Sequence, residues 1–286
     1  MINKEVKTII TTDGSIDLSD ELLEKYNITQ IIPIYTTIGG KMYKSSKELS
    51  NKEMYKLVDE HDELPKTAAP TPLEFKALFD KLTAEGWQIV HIGLGSNFSS
   101  AFNNARLMAL EYENVYVADS NNLSTGIGLL VIKAAILAKE GYSAKEIYDI
   151  ITELSEKVEL SFVVDTLLYL KKGGRCSALE YLGTSILKLK VCLELKDGLL
   201  KPGKKYRGSI ERCAKLYLKE RLENRDDFDT ERAFITHNME NKEFVEEMVE
   251  YVKSLNIFKE LLVTDIGITV GTHSGPNTLG IVFLRK

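Results

Sequence analysis

The sequence predicts an α/β protein of two domains: an N-terminal α/β/α domain built on a parallel sheet and a C-terminal α/β domain built on a mixed sheet. Its 286 residues suit two packed subdomains. Short strand-like runs alternate with helical periods through the first half, a pattern typical of βαβ units. In the second half, Asp197-Gly198 is a hairpin signal that indicates antiparallel pairing. We therefore predict an N-terminal domain at residues 1–158 and a C-terminal domain at residues 159–286.

The first half reads as strands and helices in turn. The predicted strands are Lys7–Thr11, Ile31–Thr37, Gln88–Leu94 and Val115–Ala118, with a hairpin-like return at Gly39-Gly40. The predicted helices are Ser19–Tyr26, Ser50–His61, Thr71–Glu85, Ser99–Glu111, Ser124–Lys139 and Ser143–Lys157. Thr71 and Ser143 each precede a glutamate by three positions, which is the spacing of a capping box.

The second half has a different pattern of predicted strands and helices. The predicted strands are Phe162–Val164, the hairpin pair Lys190–Leu195 and Leu199–Tyr206, then Ala233–Thr236, Leu261–Ile266 and Leu279–Phe283. The predicted helical segments are Leu167–Lys172, Ser209–Leu222 and Asn241–Leu255. Gly173-Gly174 ends the first of these helical segments, and a glycine-rich loop is predicted from Gly271 to Thr278.

Charge and cysteine content exclude several classes of function. The chain has 37 basic and 42 acidic residues and a net charge of −5, which argues against a nucleic-acid-binding protein. Its three cysteines form no C-x-x-C pair, so neither a zinc knuckle nor a thioredoxin-type motif is present, and they suggest a reducing compartment. The N-terminus lacks the apolar core of a signal peptide, and no apolar stretch reaches the ~20 residues of a membrane span. We expect a soluble cytoplasmic protein without integral membrane insertion.

Most sequence motifs for cofactors fail on inspection. The stretch from Gly198 to Lys204 fits G-x-x-x-x-G-K, but Lys205 stands where a P-loop needs Ser or Thr, and the stretch lies within a predicted hairpin. The turn at Gly93 follows a strand, but Phe98 replaces the third glycine of a dinucleotide fingerprint. No nucleophile elbow and no metal-binding cluster of histidines is found. The sequence therefore predicts no cofactor and no metal.

What survives is a set of polar residues at predicted strand ends and in loops. Open α/β sheets bind ligands beyond the carboxyl ends of their strands. Ser99 or Ser100 opens a helix there, where unpaired amides suit a carboxylate or phosphate, although a simple capping role is also open. Thr67 lies in a predicted loop, where a role in a simple turn is also open. His273 lies in a loop of small residues, where packing does not explain a histidine.

Five motifs in order resemble those of the DegV family, bacterial two-domain fatty-acid-binding proteins. They run along the whole chain: Thr67–Pro72 (TAAPTP), Leu94–Ala105 (LGSNFSSAFNNA), Asp119-Ser120 through Gly128, Leu167–Arg175 (LLYLKKGGR) and Gly271–Pro276 (GTHSGP). The resemblance implies one long-chain fatty acid held between the two domains, with its carboxylate bound by a threonine and a serine. Those roles fall on Thr67 and Ser99, with Ser100 and His273 nearby.

The resemblance also implies a partner. Similar proteins present the acid to a separate fatty-acid kinase that makes an acyl phosphate, and the arginine implicated in that exchange matches Arg175. The protein itself is then a lipid carrier and not an enzyme, and we expect a monomer or a weak dimer. Apolar wall residues are required for the acyl chain, and the candidates are Phe98, Phe102, Ile127, Leu130, Phe162, Leu167 and Leu168. Most of them are equally compatible with an ordinary core.

The chain departs from the family pattern near the expected head-group site. The positions concerned are Ala68, Ala69, Ser100, Ala101 and Asn277. Both expected hydroxyls remain. An alternative from the residues alone is a serine hydrolase or an acyl or phosphoryl transferase that uses Ser99 and His273, although no third residue to orient the histidine is evident. A pure interaction module would leave the Ser96–Ser100 loop without a purpose.

Overall fold

The protein divides into two compact units. The computed structural model describes residues 7–44, 47–179 and 189–286. The first unit comprises the chain up to Tyr35 together with Ala68–Glu156, and the second comprises Thr36–Thr67 together with Lys157–Lys286. The chain therefore passes into the second unit after Tyr35, returns after Thr67 and enters the second unit again at Lys157.

The strands and helices of the described residues are numbered in chain order. The strands are β1 Thr8–Asp13, β2 Gln30–Ile32, β3 Tyr35–Ile38, β4 Lys41–Tyr43, β5 Lys66–Ala68, β6 Gln88–Gly93, β7 Val115–Asp119, β8 Val158–Val164, β9 Lys190–Lys196, β10 Leu199–Tyr206, β11 Phe228–His237, β12 Glu260–Asp265 and β13 Leu279–Arg285. The helices are α1 Asp20–Lys25, α2 Asn51–His61, α3 Pro72–Ala84, α4 Ala101–Ala109, α5 Thr125–Lys139, α6 Ala144–Ser155, α7 Leu168–Gly173, α8 Ile210–Leu222, α9 Lys242–Ser254 and α10 Ile268–Ser274.

The first unit is built on a parallel sheet with the strand order β2-β1-β6-β7. Both predicted capping boxes are present, at Thr71 with Glu74 and at Ser143 with Glu146. One core cluster includes Phe75 and Phe79 of α3, which are fully buried against α4 and the sheet. The parallel-sheet α/β domain predicted from the sequence is therefore confirmed.

The second unit contains the predicted mixed sheet, with the order β10-β9-β8-β13-β11-β12. All its neighbouring strands are antiparallel except β11 and β12, which are parallel. The hairpin of β9 and β10 turns at Asp197 and Gly198, which have φ values of 56° and 69°. These positive φ values match the turn that the dipeptide predicts. The P-loop-like stretch lies in this hairpin.

The segment Thr36–Thr67 groups with the second unit, whereas the sequence places it in the N-terminal domain at residues 1–158. The segment carries α2 and most of a small sheet with the order β4-β3-β5. Ile38, Tyr43 and Met54 pack in one buried cluster with Ile268 of α10. This apolar contact joins residues more than 200 positions apart, so local sequence patterns do not reveal it.

The predicted loop from Gly271 to Thr278 is wrong in its first half, because α10 runs from Ile268 to Ser274. Thr272 Oγ1 donates to the carbonyl of Ile268 at 2.8 Å, one helical turn earlier. Ile268 and Thr272 are both buried, so tertiary packing supports a helix despite a glycine that disfavours it. No helix in the described parts of the chain is long and apolar enough to cross a membrane.

Candidate ligand-binding site

Thr67 and His273 form a hydrogen-bonded pair in the second unit. Thr67 is the central residue of β5, and His273 lies in the last turn of α10. Thr67 Oγ1 and His273 Nε2 are 2.9 Å apart, although the two residues are separated by 206 positions in the chain. The structure thus brings together two of the residues that the resemblance assigns to a carboxylate.

A cavity of about 650 Å³ opens beside this pair and is called the polar cavity below. Its lining includes three cationic and two acidic side chains, and the residues are Asp62, Glu63, Leu64, Pro65, Lys66, Thr67, Tyr169, Lys172, Gly173, Arg175, Thr272 and His273. Lys66 is engaged by Glu63 at 3.2 Å in an exposed ion pair. Lys172 and Arg175 therefore supply the positive charge beside Thr67. These two cations can face an anionic group bound in the cavity.

His273 is neutral at physiological pH. Burial of the ring, together with the positive charge of Arg175, lowers the pKa of His273 to about 4. Within the described ranges, its Nδ1 atom is buried and has no hydrogen-bond partner. The imidazole therefore adds hydrogen-bonding capacity to the site without adding charge.

Helix α2 holds α10 and thereby the backbone that carries His273. Asn51 of α2 donates to the carbonyl of Ile266, and Tyr55 donates from its hydroxyl to the carbonyl of Gly271 at 3.0 Å. Asn238, just after β11, donates to the Tyr55 hydroxyl at 2.9 Å. The two α2 side chains are four residues apart, so they lie on one face of that helix.

Arg175 follows the end of α7 and is exposed at the polar cavity. Its Nη1 donates to the carbonyl of Gly173 at 2.6 Å, which holds the guanidinium beside the helix end. The preceding Gly174 has a φ of 68°, and its amide donates to the carbonyls of Leu170 and Lys171. The predicted glycine break is therefore a left-handed helix cap.

The first unit carries Ser99 and Ser100 between β6 and α4. Ser99 Oγ accepts the amide of Ala101 at 3.1 Å, whereas Ser100 is exposed and makes no side-chain cap. Ser100 is the N-cap residue by position, but the hydroxyl that accepts an amide of the first turn is that of Ser99. A hydroxyl oxygen that accepts an amide still has its proton to donate. The Ser99 hydroxyl can therefore accept a helix amide and also donate to a ligand.

Two buried or half-buried carboxylates hold this serine-containing loop. Asp13, at the end of β1, accepts the amide of Leu94 at 2.7 Å. Asp119, at the end of β7, accepts the amide of Ser96 at 3.1 Å. Burial raises the pKa of Asp13 despite these bonds. Both carboxylates lie at the carboxyl end of the parallel sheet, where a ligand loop is expected.

The residues predicted to line a lipid tunnel differ in burial. Ile127, Leu130 and Leu167 have no exposed surface, Phe98 and Phe162 are 8% and 7% exposed, and Leu168 is 38% exposed. Phe102 is partly buried against the core cluster of the first unit. Burial alone does not separate a tunnel wall from a core, so their role stays a prediction.

Tyr169, Lys172 and Thr272 line the polar cavity and were not predicted as site residues. Tyr169 and Lys172 belong to the family-like motif at residues 167–175. Membership of that motif could have identified them as site residues. Thr272 precedes His273 directly. Because the sequence predicts a loop there, it does not show that Thr272 lies on the same helical face as Ile268.

Two α/β units, of which the second carries a hydroxyl–imidazole pair beside the polar cavity, define an α/β protein with a candidate ligand-binding site. A sequence profile for an uncharacterised protein of the DegV family matches residues 7–286. The chain belongs to the DegV family. It is 30% identical over 282 residues to a DegV domain-containing protein of Clostridium acetobutylicum, covering 98% of this chain and 99% of the relative.

Solved structures share the whole fold. A DegV family protein from Thermus thermophilus, described for its fatty acid binding, is similar with a TM-score of 0.86 and 26% identity, over 98% of this chain and 100% of that one. DegV of Bacillus subtilis, described as a fatty acid binding protein, is similar with a TM-score of 0.83 and 27% identity over the same shares. Both sequence and fold therefore relate this chain to fatty-acid-binding proteins.

Proposed function

We propose that this protein binds one long-chain fatty acid and holds its carboxylate at Thr67 beside His273. The observation that carries the proposal is the 2.9 Å pair of Thr67 Oγ1 and His273 Nε2 next to a cavity lined by Lys172 and Arg175. Two relatives with the same fold are described as fatty-acid-binding. Ser99 is the second proposed hydroxyl donor.

The acyl chain supplies most of the binding free energy. Burial of roughly 14 methylenes at ~0.8 kcal/mol each gives an upper bound of about 11 kcal/mol. A hydrogen bond to a charged carboxylate adds ~1.5–3 kcal/mol, so the polar side chains mainly orient the acid. The tail needs an apolar tunnel. The seven wall candidates remain our proposal for it.

Substitution of Thr67 by valine tests the head-group site. Valine keeps the β-branched shape in β5 and removes the hydroxyl, so the affinity for palmitate should weaken roughly 10- to 100-fold. The measurement is a calorimetric titration, with Ser99→Ala titrated in the same way. Thr230→Val, at an exposed threonine of β11, is the matched control and should bind like the wild type. Wild-type affinity in Thr67→Val would place the carboxylate elsewhere.

Presentation of the acid to a separate fatty-acid kinase is the second part of the proposal. Arg175 is exposed at the polar cavity, so a partner can reach it without unfolding the site. Arg175→Ala should slow acyl phosphate formation by such a kinase even at palmitate concentrations that saturate the variant, because Thr67 and Ser99 still bind the acid. Equal rates for the variant and the wild type would contradict a role for Arg175. A cytoplasmic location and a monomer or weak dimer stay predictions.

The enzyme alternative requires His273 to act as a base. In a catalytic triad a third group accepts the other N–H of the histidine and orients the ring. His273 Nδ1 has no such partner in the described parts of the chain. This geometry supports a binding protein. Turnover of an activated acyl ester that disappears in His273→Ala would favour the enzyme instead.

A further inference from the structure

Gly173 is not explained by the backbone of α7. It is the last residue of that helix, and its φ lies outside the left-handed region, unlike the φ of 68° at Gly174. Alanine is more favourable than glycine in a helix. The conformation at position 173 therefore does not require glycine, and the reason lies in what surrounds it.

His273 provides that reason. A Cβ atom built on Gly173 would lie 2.5 Å from His273 Nδ1 and 3.3 Å from Cε1. The first distance is too short for any side chain at position 173. The imidazole has little freedom to move away, because its Nε2 is bonded to Thr67. Only glycine lets α7 and this histidine approach so closely.

The same contact determines where the imidazole proton sits. Nδ1 is buried and has no acceptor within the described part of the chain. A proton on Nδ1 would be a buried donor without a partner, which is costly, whereas a bare lone pair is tolerated better. The proton therefore belongs on Nε2, which donates to Thr67 Oγ1.

This assignment leaves the Thr67 hydroxyl proton free. Its oxygen accepts from His273, so the hydroxyl itself must donate to a third group. A carboxylate only accepts hydrogen bonds and is therefore a suitable recipient. The opposite tautomer would direct the Thr67 proton to Nε2, and Thr67 would then have no proton to donate to the ligand.

We propose that Gly173 is a positioning residue that keeps His273 as the neutral Nε2–H tautomer, so that Thr67 donates its hydroxyl proton to the carboxylate of the bound acid. The inference rests on the proposed function for its ligand. The tautomer of His273 is expected to be the same in the ligand-free protein. Burial and the charge of Arg175, which lower the pKa of His273, act in the same direction by disfavouring the imidazolium form.

Nitrogen-15 NMR of the imidazole in the ligand-free wild type tests the tautomer. At pH 7 we expect His273 to be neutral and protonated at Nε2. A proton on Nδ1, or an imidazolium, would overturn the proposal. Because no ligand is involved, a protein that binds no fatty acid would contradict the proposed function while this measurement still decides the assignment.

A double-mutant cycle tests the role of Gly173. Gly173→Ala should weaken palmitate binding about tenfold. In the His273→Ala background, which removes the clash, the same change should alter affinity by less than about twofold. Unchanged binding of Gly173→Ala, or the same loss in both backgrounds, would overturn the proposal. If Gly173→Ala does not fold, the tautomer measured in the wild type remains the test.

Discussion

Buried histidines in this protein are neutral because water is excluded from them. His91 of β6 is 1% exposed, and its ring packs against Phe75 at a centroid distance of 5.2 Å. Its Nδ1 lies 3.0 Å from Thr11 Oγ1. Burial lowers the pKa of His91 to about 3. This histidine is therefore a core residue whose Nδ1 is within hydrogen-bond distance of a neighbouring hydroxyl.

The pKa of His91 predicts a loss of stability in acid. The unfolded state takes up the proton near pH 6.5, whereas the folded state resists it down to about pH 3. The stabilisation is therefore complete above pH 6.5 and is lost as the pH falls toward 3. His91→Gln removes the titration, so the stability advantage of the wild type over this variant should shrink by about 2 kcal/mol between pH 8 and pH 5. Urea unfolding at several pH values measures it, and a gap that does not vary with pH would refute the prediction.

Individual residues were predicted well where their chemistry is local. Thr71, with Pro72 and Glu74, specifies a helix start within four positions, and Asp197-Gly198 specifies a turn within two. The pairing of Thr67 with His273 is different, because its partners are 206 positions apart. Only the resemblance to a family placed both residues at one ligand, and the requirement for Gly173 was not anticipated.

At the scale of elements, α2 and α10 act as one assembly. Asn51 and Tyr55 each donate to a backbone carbonyl of the α10 region, and Met54 lies between them with no exposed surface. Tyr55 also contacts the Tyr169 ring of α7 edge-on at 5.7 Å. Burial raises the pKa of Tyr55, so its hydroxyl remains a donor. The helix that carries His273 is thus fixed by side chains from a segment distant in sequence.

Removal of the Tyr55 hydroxyl should loosen this assembly. Tyr55→Phe keeps the ring contact but takes a donor from Gly271 O and an acceptor from Asn238, so unfolding should become easier by ~1–3 kcal/mol. Chemical denaturation measures the change. Tyr116→Phe removes a hydroxyl that makes an exposed 3.5 Å contact with the Glu113 carbonyl; it is the matched control and should alter stability by less than ~0.5 kcal/mol. Equal effects in both variants would contradict this role for Tyr55.

Helix α10 also shows the limit of element prediction. Its sequence, ITVGTHS, has a glycine and two β-branched threonines, and local propensity therefore favoured a loop. Burial of Ile268 and Thr272 against α2 overrides that preference. Strongly periodic elements such as α9 and capped ones such as α3 were predicted, because their signals do not depend on a distant partner.

For the whole molecule, the fold class was predictable and the division of the chain was not. Alternation of strands and helices predicted the parallel sheet, and the hairpin signal predicted antiparallel pairing in the second sheet. The segment Thr36–Thr67 belongs to the second unit because of long-range contacts such as that of Ile38 with Ile268. Thr67 is the last residue of this segment and therefore lies in the same unit as His273.

Mass spectrometry of an organic extract from the purified, untreated protein tests the central claim most directly. We expect one long-chain fatty acid per protein chain, because an acid with a buried tail dissociates too slowly to be lost in purification. The amount should fall in Thr67→Val and remain at the wild-type level in Thr230→Val. An extract without fatty acid, from a protein that also takes up none when palmitate is added, would show that this chain does not carry such a lipid.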